Sequence, residues 1–255
     1  MSRTVLITGG SSGIGRAVVE RFARQDEVWF TYRAGEARAR RLIEALGGRA
    51  VRAFPFDQGD RKSHEALLAQ LPGVPEIAIL NAGLGSATVA SYVDSPAAQD
   101  EALIRVNATG VLWLTQSLVP QMRARDSGKL VFISSVLGGV GQFAGFRWAD
   151  GMGKAAVAFL GRQLAAELAQ TGVDVFTICP GPTETPMLEA STLSKMTAVE
   201  RTAFARRLPK GRLVTPQEVA ELAHFLCRHE AQVLHGAVLD ASLGLGVHPG
   251  LLTGG

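Results

Sequence analysis

Short runs of β-branched and other apolar residues alternate along the chain with longer stretches in which apolar positions recur at helical spacing. The runs predict seven strands, at Val5–Ile7, Val28–Tyr32, Ala50–Phe56, Glu76–Leu80, Lys129–Ser134, Val173–Ile178 and Ala237–Leu239. The stretches predict helices at Ile14–Arg24, Glu36–Leu46, about Pro96–Met122, Lys154–Gln170 and from Pro216 onward. Such alternation is typical of a parallel sheet covered by helices on both faces. The sequence therefore predicts one α/β domain over residues 1–255, with a doubly wound sheet in a three-layer arrangement.

The segment between the sixth strand and the last helix has a different pattern. Prolines and polar residues are scattered through Pro180–Arg212, and only Leu188–Ser194 and Ala198–Arg207 have a helical pattern. Long irregular segments in compact domains usually act as lids or binding loops. We therefore predict that residues at about 183–212 form a flap over a binding site.

Composition and charge narrow the classes of function. Hydrophobic residues make up 47% of the chain and charged residues 19%, as in an ordinary globular protein. The formal charge of +3 is too small to indicate a nucleic-acid partner. The chain has no apolar run of about 18 residues that would predict a membrane helix, and its N-terminus has no signal-peptide pattern.

The cysteines and histidines do not predict a metal site. Cys179 and Cys227 are far apart and lie outside any CxxC pattern, and the five histidines have no metal-ligand spacing. A disulfide framework is not predicted either. A reducing cytoplasm fits this cysteine usage best.

A glycine-rich turn joins the first predicted strand to the first helix. It consists of Thr8, Gly9, Gly10, Ser11, Ser12, Gly13, Ile14 and Gly15. Glycines permit a tight turn and a close approach to a diphosphate, whose charge the N–H groups at a helix start favour. Such turns also end strands for structural reasons alone, but the position directly after an N-terminal strand favours a dinucleotide site.

Together with this turn, further motifs in the same order resemble the short-chain dehydrogenase/reductase family over nearly the whole chain. They are Asp57 after the third strand, Asn81-Ala82-Gly83 after the fourth, Asn107 in the long helix, Ser135 after the fifth, Lys154, and Pro180-Gly181 with Thr185. The resemblance implies a Rossmann-type fold, a nicotinamide cofactor and an oxidoreductase acting on a small molecule. It also implies a homodimer or homotetramer, with the long helices around Val111 and Phe159 as the usual contact faces.

The resemblance also assigns parts of the cofactor to these residues. It implies that Asp57 binds the adenine and that Lys154 binds the ribose. It implies that Pro180, Gly181 and Thr185 lie over the nicotinamide.

The end of the second strand indicates which cofactor binds. An acidic residue there would bond to the adenosine ribose and repel a 2′-phosphate, but this chain has Tyr32 followed by Arg33, with Arg38 further along. Guanidinium groups pair well with phosphate. NADP(H) is therefore favoured over NAD(H), with Arg33 as a cofactor-binding residue. The alternative is that both arginines are ordinary surface charges.

One catalytic position departs from the family pattern. The family uses Asn, Ser, Tyr and Lys, and the resemblance assigns three of these roles to Asn107, Ser135 and Lys154. Asp150 stands four residues before Lys154, where the family has the tyrosine. A carboxylic acid ordinarily titrates near about 3.9 and a phenol near about 10. An ionised carboxylate accepts a proton but is a poor donor at neutral pH, so ketone reduction by the usual route is expected to be impaired.

Neither of the two tyrosines offers a replacement by its spacing. Tyr32 is expected beside the adenosine, and Tyr92 is expected as a partly exposed aromatic in the loop after the fourth strand. Phe143, Phe146 and Trp148 lie between Ser135 and Asp150, in an interval longer than the family's usual one, and are expected to line or cover the pocket.

Three hypotheses remain for Asp150. In the first, the protein is an NADP(H)-dependent oxidoreductase acting on a small carbonyl or alcohol compound, with Asp150 as base or with a water relay through Asn107 and Lys154. In the second, Asp150 anchors a cationic group of the substrate or removes a proton in non-redox chemistry. In the third, the protein is a catalytically silent NADP-binding subunit or regulatory protein. Because the other motif residues are present, the first is favoured.

Overall fold

The computed structural model describes residues 2–248 and contains one parallel sheet of seven strands. The strands are β1 (Thr4–Ile7), β2 (Glu27–Tyr32), β3 (Val51–Pro55), β4 (Ile77–Leu80), β5 (Gly128–Ile133), β6 (Val173–Pro180) and β7 (Val238–Ala241). They lie in the order β3-β2-β1-β4-β5-β6-β7, and every neighbouring pair is parallel. Met1 and residues 249–255 of the predicted domain lie outside the described residues.

Helices cover both faces of the sheet. They are α1 (Gly13–Phe22), α2 (Glu36–Leu46), α3 (Arg61–Gln70), α4 (Pro96–Ile104), α5 (Gly110–Ala124), the short irregular turn α6 (Val136–Gly139), α7 (Trp148–Leu168), α8 (Pro186–Ser191), α9 (Ala198–Arg207) and α10 (Pro216–Leu226). Helices α1, α2 and α10 pack on one face, and α3, α5 and α7 pack on the other. The predicted three-layer α/β fold is therefore confirmed.

The strands are apolar on both faces because each face meets a helical layer. Val5 and Ile7 of β1 are fully buried in the core beneath α1, α2 and α10, whereas Leu6 between them is buried in the core beneath α3, α5 and α7. This two-sided burial explains why the strands appear in the sequence as continuous apolar runs.

Two helical predictions need correction, and one helix was not predicted. The long helix predicted at about Pro96–Met122 is interrupted by a π-helical turn at Arg105–Thr109. Helix α7 begins at Trp148, so Lys154 lies in its second turn and does not open it. Helix α3 was not predicted, because His64 and Leu67 are its only buried residues and its apolar stripe is therefore too narrow to recognise.

Helix α7 approaches the sheet closely at one glycine. An added Cβ on Gly161 would lie 2.3 Å from Oγ1 of Thr177, whose side chain is buried in β6. The absence of a side chain at Gly161 therefore sets how near α7, with Asp150 and Lys154, lies to the sheet. Among residues 2–248, no helix has the length and hydropathy that crossing a membrane requires.

Replacing Gly161 by alanine is expected to destabilise the fold by about 1–3 kcal/mol, because the new methyl group overpacks the contact between α7 and β6. The matched control on the same helix is Gly151→Ala, whose Cβ would meet only Leu137 carbons at 3.9 Å. In this control the free energy of unfolding should rise by about 0.5–1 kcal/mol, because alanine has a higher helix propensity than glycine. Urea unfolding measures both free energies, and equal changes in the two variants would contradict the packing argument.

Candidate active site

The candidate site lies at the carboxyl edge of the sheet, where the strand order reverses between β1 and β4. Open α/β sheets bind ligands at such a switch point. The predicted residues follow the ends of neighbouring strands: Thr8 after β1, Arg33 after β2, Asp57 beyond β3, Asn81 after β4 and Ser135 beyond β5. The fold therefore brings together residues that are far apart in sequence.

The turn between β1 and α1 requires its glycines. Gly9 and Gly13 have φ values of +69° and +54°, a region that residues with a Cβ rarely adopt. A Cβ on Gly15 would lie 2.2 Å from the carbonyl oxygen of Gly9 and 2.6 Å from Nδ2 of Asn81. The backbone of the turn thus packs closely against itself, and no side chain at these three positions blocks the approach of a ligand.

Thr8 and Asn81 join the turns that follow β1 and β4. Oγ1 of the buried Thr8 accepts hydrogen bonds from the backbone N–H groups of Asn81 and Ala82, both at 2.9 Å. In return, Nδ2 of Asn81 donates to the carbonyl oxygen of Thr8 at 2.9 Å. These two predicted cofactor residues therefore act on each other and fix the shape of the switch point.

The start of α1 fits a diphosphate. The helical hydrogen bonds begin with Arg16 N–H donating to Ser12, so the N–H groups of Gly13, Ile14 and Gly15 have no partner within the helix. The hydroxyl of Ser12 does not cap the helix. Donors of this kind, at the positive end of a helix dipole and with no Cβ in the way, are suited to an anion.

Thr185 lies next to the glycine turn, beside Gly13. A Cβ on Gly13 would lie 3.2 Å from Cγ2 of Thr185, and the Thr185 hydroxyl caps α8 by accepting from Leu188 N–H at 3.3 Å. Pro180 ends β6, and a Cβ on Gly181 would lie 2.9 Å from Ser242. The predicted segment over the nicotinamide thus lies beside the glycine turn.

Arg33, Asp57 and Tyr92 meet at the predicted adenosine end. The Arg33 guanidinium lies 4.5 Å from the centre of the Tyr92 ring, and the Tyr92 hydroxyl donates to Oδ1 of Asp57 at 3.0 Å. The sequence predicts Tyr92 only as a partly exposed aromatic in the loop after β4. Nothing in its spacing indicates these contacts, which depend on the path of the loop after β4.

Arg38 also faces this region. A Cβ on Gly35 would lie 2.8 Å from Oγ of Ser11 and 2.9 Å from Nη2 of Arg38. Ser11 and Arg38 therefore both lie next to Gly35.

Asn107 is held inside the π-helical turn between α4 and α5. It is buried, its Oδ1 accepts from Leu84 N–H at 2.8 Å, and its Nδ2 donates to the Leu84 carbonyl at 2.8 Å. Turns of this type occur frequently at functional sites. Nδ2 also lies 3.4 Å from Oδ1 of Asp150.

Asp150 is anchored by a residue that the sequence did not single out. Its Oδ2 accepts from both the backbone N–H of Ser86, at 2.9 Å, and the Ser86 hydroxyl, at 2.7 Å. Asp150 also lies in the first turn of α7, where a carboxylate stabilises the helix. The only sequence signal for Ser86 was its place just after the Asn81-Ala82-Gly83 turn.

Lys154 lies against the same turn. A Cβ on Gly83 would be 3.4 Å from Nζ of Lys154 and 3.1 Å from Oδ1 of Asn107. Burial lowers the pKa of Lys154, and the charge of Asp150 opposes that shift. The hydroxyl of Ser134 donates to the Lys154 carbonyl at 2.7 Å, which ties α7 to the end of β5.

Ser135 caps the α6 turn, and its Oγ accepts from Leu137 N–H at 3.1 Å. Within residues 2–248, no hydrogen bond joins Ser135 to Asp150 or Lys154. Burial raises the pKa of the nearby Cys179 thiol to about 11, which fits a packing role for this cysteine and disfavours a nucleophile.

The three aromatic residues between Ser135 and Asp150 do not act as one group. Phe143 is buried against Val136 and Leu245. Phe146 and Trp148 instead line a groove of about 940 Å³ with residues of α4 and α5, and none of the predicted catalytic residues lines that groove. The expectation that all three line or cover the pocket is therefore wrong, since α7 begins at Trp148 and 87% of its side chain is exposed.

The segment predicted as a flap begins close to the loop after β4. It contains α8 and α9, and a Cβ on Gly85 would lie 2.9 Å from Sδ of Met187. A short bridge between Thr183 and Val214 joins its two ends. The start of the segment therefore lies against the loop after β4, and its role as a flap stays a prediction.

The family comparison agrees with this fold and this turn. Residues 3–195 match the short chain dehydrogenase family. The chain is 34% identical to the oxidoreductase UcpA of Salmonella typhimurium, over 92% of this chain and 90% of UcpA.

Two solved structures show the same architecture. A short-chain dehydrogenase/reductase from Burkholderia thailandensis is 30% identical with a TM-score of 0.83, covering 99% of this chain and 98% of that chain. A variant of the actinorhodin polyketide ketoreductase with NADPH is 28% identical with a TM-score of 0.86, covering 96% and 97%. The chain therefore belongs to the short-chain dehydrogenase family, a family of oxidoreductases, as the resemblance predicted.

Proposed function

We propose that the protein is an NADP(H)-dependent oxidoreductase that acts on a small carbonyl or alcohol compound. The observation that carries this proposal is the position of Arg33, which follows β2 at the same sheet edge as the glycine turn of α1. A similar fold with NADPH, the actinorhodin polyketide ketoreductase variant, supports the cofactor. The location in the cytoplasm stays a prediction.

Different residues would bind different parts of the cofactor. The glycine turn and the start of α1 would hold the diphosphate, Arg33 the 2′-phosphate, and Asp57 the adenine. Oδ1 of Asp57 already accepts from Tyr92 and from Gly59 N–H. The described residues provide no donor to Oδ2, which therefore suits an adenine amino group. When bound, the cofactor supplies or accepts a hydride.

The hydroxyl of Ser135 would bind the substrate oxygen. Its oxygen accepts from Leu137 N–H, so its own O–H is left to donate. Lys154 and Asn107 lie together against Gly83, and in this proposal Lys154 binds the ribose and Asn107 helps to order a water.

Asp150 would accept a proton from an alcohol substrate, directly or through that water. Its Oδ2 already takes two hydrogen bonds from Ser86. Among the described residues its Oδ1 has only the 3.4 Å contact with Asn107, so it can accept another O–H group. A carboxylate held in this way is suited to the role of a base.

Asp150→Asn is expected to lower kcat about 100-fold or more, because the amide cannot take up the proton. NADPH affinity should stay within about twofold, since the charge at the diphosphate and adenosine ends is unchanged. Turnover is followed through NADPH absorbance over a panel of alcohols and carbonyls. Asp150→Tyr is the companion variant, and ketone reduction should appear or increase in it. Unchanged turnover in Asp150→Asn would exclude the base role.

The cofactor choice is tested by titrating NADPH and NADH. We expect NADH to bind about tenfold more weakly or worse, because only NADPH gives Arg33 a charge-assisted bond. Arg33→Ala should remove most of this difference. The matched control is Arg40→Ala, since Arg40 pairs with Glu36 on the exposed face of α2, and this variant should keep the preference. Equal affinities in the unaltered protein would refute the Arg33 argument.

A homodimer or homotetramer is part of the same proposal. Trp148, Met152 and Phe159 of α7 expose 87%, 62% and 62% of their surface, and an exposed apolar face of this kind is typical of a contact surface. Sedimentation velocity at micromolar concentration should therefore give at least the dimer mass. Phe159→Glu should shift the protein toward the monomer, because it buries a charge in the contact. A monomer in the unaltered protein would contradict the assignment.

A further inference from the structure

Tyr92 contacts two residues at the adenosine end in two different ways. The face of its ring lies under the Arg33 guanidinium, with 4.5 Å to the ring centre, while its hydroxyl donates to Asp57 at 3.0 Å. Burial and the charge of Asp57 raise the pKa of Tyr92 to about 12. The phenol therefore stays protonated, and its hydroxyl remains a donor.

The ring of Tyr92 is fixed without any help from Arg33. The backbone N–H of Tyr92 donates to the carbonyl of Val89 at 2.8 Å, and the ring packs against the cluster that contains Leu84, Val89 and Leu103. A Cβ on Gly59 would lie 2.5 Å from the Tyr92 hydroxyl, so the backbone beneath the hydroxyl is also close. The aromatic face is thus a rigid surface.

Arg33 differs from Arg16 and Arg40 in the partner of its charge, and Arg38, like Arg33, forms no salt bridge with another described residue. Arg16 and Arg40 each pair with a glutamate one helical turn away. Within the described part of the chain, no carboxylate lies within salt-bridge distance of Arg33. Its guanidinium lies over an aromatic face, and a cation–π contact of this kind uses none of the guanidinium N–H donors, which stay available to an anion.

We propose that Tyr92 is a positioning residue for cofactor selectivity, holding Arg33 where the 2′-phosphate of NADP(H) binds. This inference rests on the proposed function, because it needs Arg33 to bind that phosphate. Fixing a long side chain before binding reduces the entropy lost when the phosphate is bound. The selectivity of the site therefore depends on a loop that follows β4, far in sequence from Arg33.

The test uses two nucleotides that lack nicotinamide, so it does not depend on turnover. Calorimetry measures binding of adenosine 2′,5′-bisphosphate and of adenosine 5′-monophosphate to the whole protein. Tyr92→Leu should weaken binding of the bisphosphate about fivefold, which corresponds to a loss of about 1 kcal/mol in binding free energy. The affinity for the monophosphate should change by less than about twofold, because the contacts with the adenine and the 5′-phosphate remain. Tyr92→Met repeats the test with a different apolar side chain, and thermal unfolding establishes that each variant is folded.

The matched control is Tyr92→Phe, which keeps the ring and loses only the bond to Asp57. It should retain the preference for the bisphosphate, and this separates the aromatic support from a general structural role. Arg33→Ala supplies the other arm of a double-mutant cycle. In that background Tyr92→Leu should cause no further loss of bisphosphate affinity.

The results distinguish this inference from the proposed cofactor. If Arg33→Ala lowers the bisphosphate preference but folded Tyr92→Leu and Tyr92→Met do not, the role of Tyr92 is refuted and the cofactor proposal stands. An equal loss from Tyr92→Leu with and without Arg33 also refutes it. If Arg33→Ala leaves the preference intact, the assigned roles of Arg33 and Tyr92 are both refuted, while the preference for NADP(H) itself stands.

Discussion

The mutual hydrogen bonding of Thr8 and Asn81 is the constraint on which the site depends. Strands β1 and β4 lie side by side, and the chain leaves them toward opposite edges of the sheet. Thr8 and Asn81 connect the turns at this point through three bonds of 2.9 Å. Because Thr8 is fully buried, loss of its hydroxyl would leave buried N–H groups without a partner. The glycine turn and the loop after β4 are therefore fixed relative to each other.

That loop in turn connects the two ends of the candidate site. Ser86, near its start, holds Asp150 on α7, and Tyr92, at its end, contacts Arg33 and Asp57. The same short segment thus touches the proposed base and the proposed phosphate ligand. Asn107 fixes its first residues through Leu84. Because this loop has contacts at both ends, it can set the positions of Asp150 and Arg33 together.

Asp150 has structural contacts apart from its proposed chemical role. Its carboxylate accepts a hydrogen bond from the Ser86 hydroxyl in the loop after β4. A carboxylate also stabilises the first turn of a helix, where Asp150 lies. Its proposed chemical role depends on Oδ1, whose one hydrogen-bond contact within residues 2–248 is the 3.4 Å contact with Asn107.

The sequence by itself determined the order of the seven strands and, to within two residues, their bounds, because apolar patterning records which faces are buried. It predicted the bounds of α2 and α9, and it predicted the glycine turn, whose φ values require those residue types. Only the tertiary structure decided where α7 begins, where Phe146 and Trp148 lie, and that Ser86 and Tyr92 join the site. These depend on contacts between segments distant in the chain, and such contacts leave no periodic signal in the sequence.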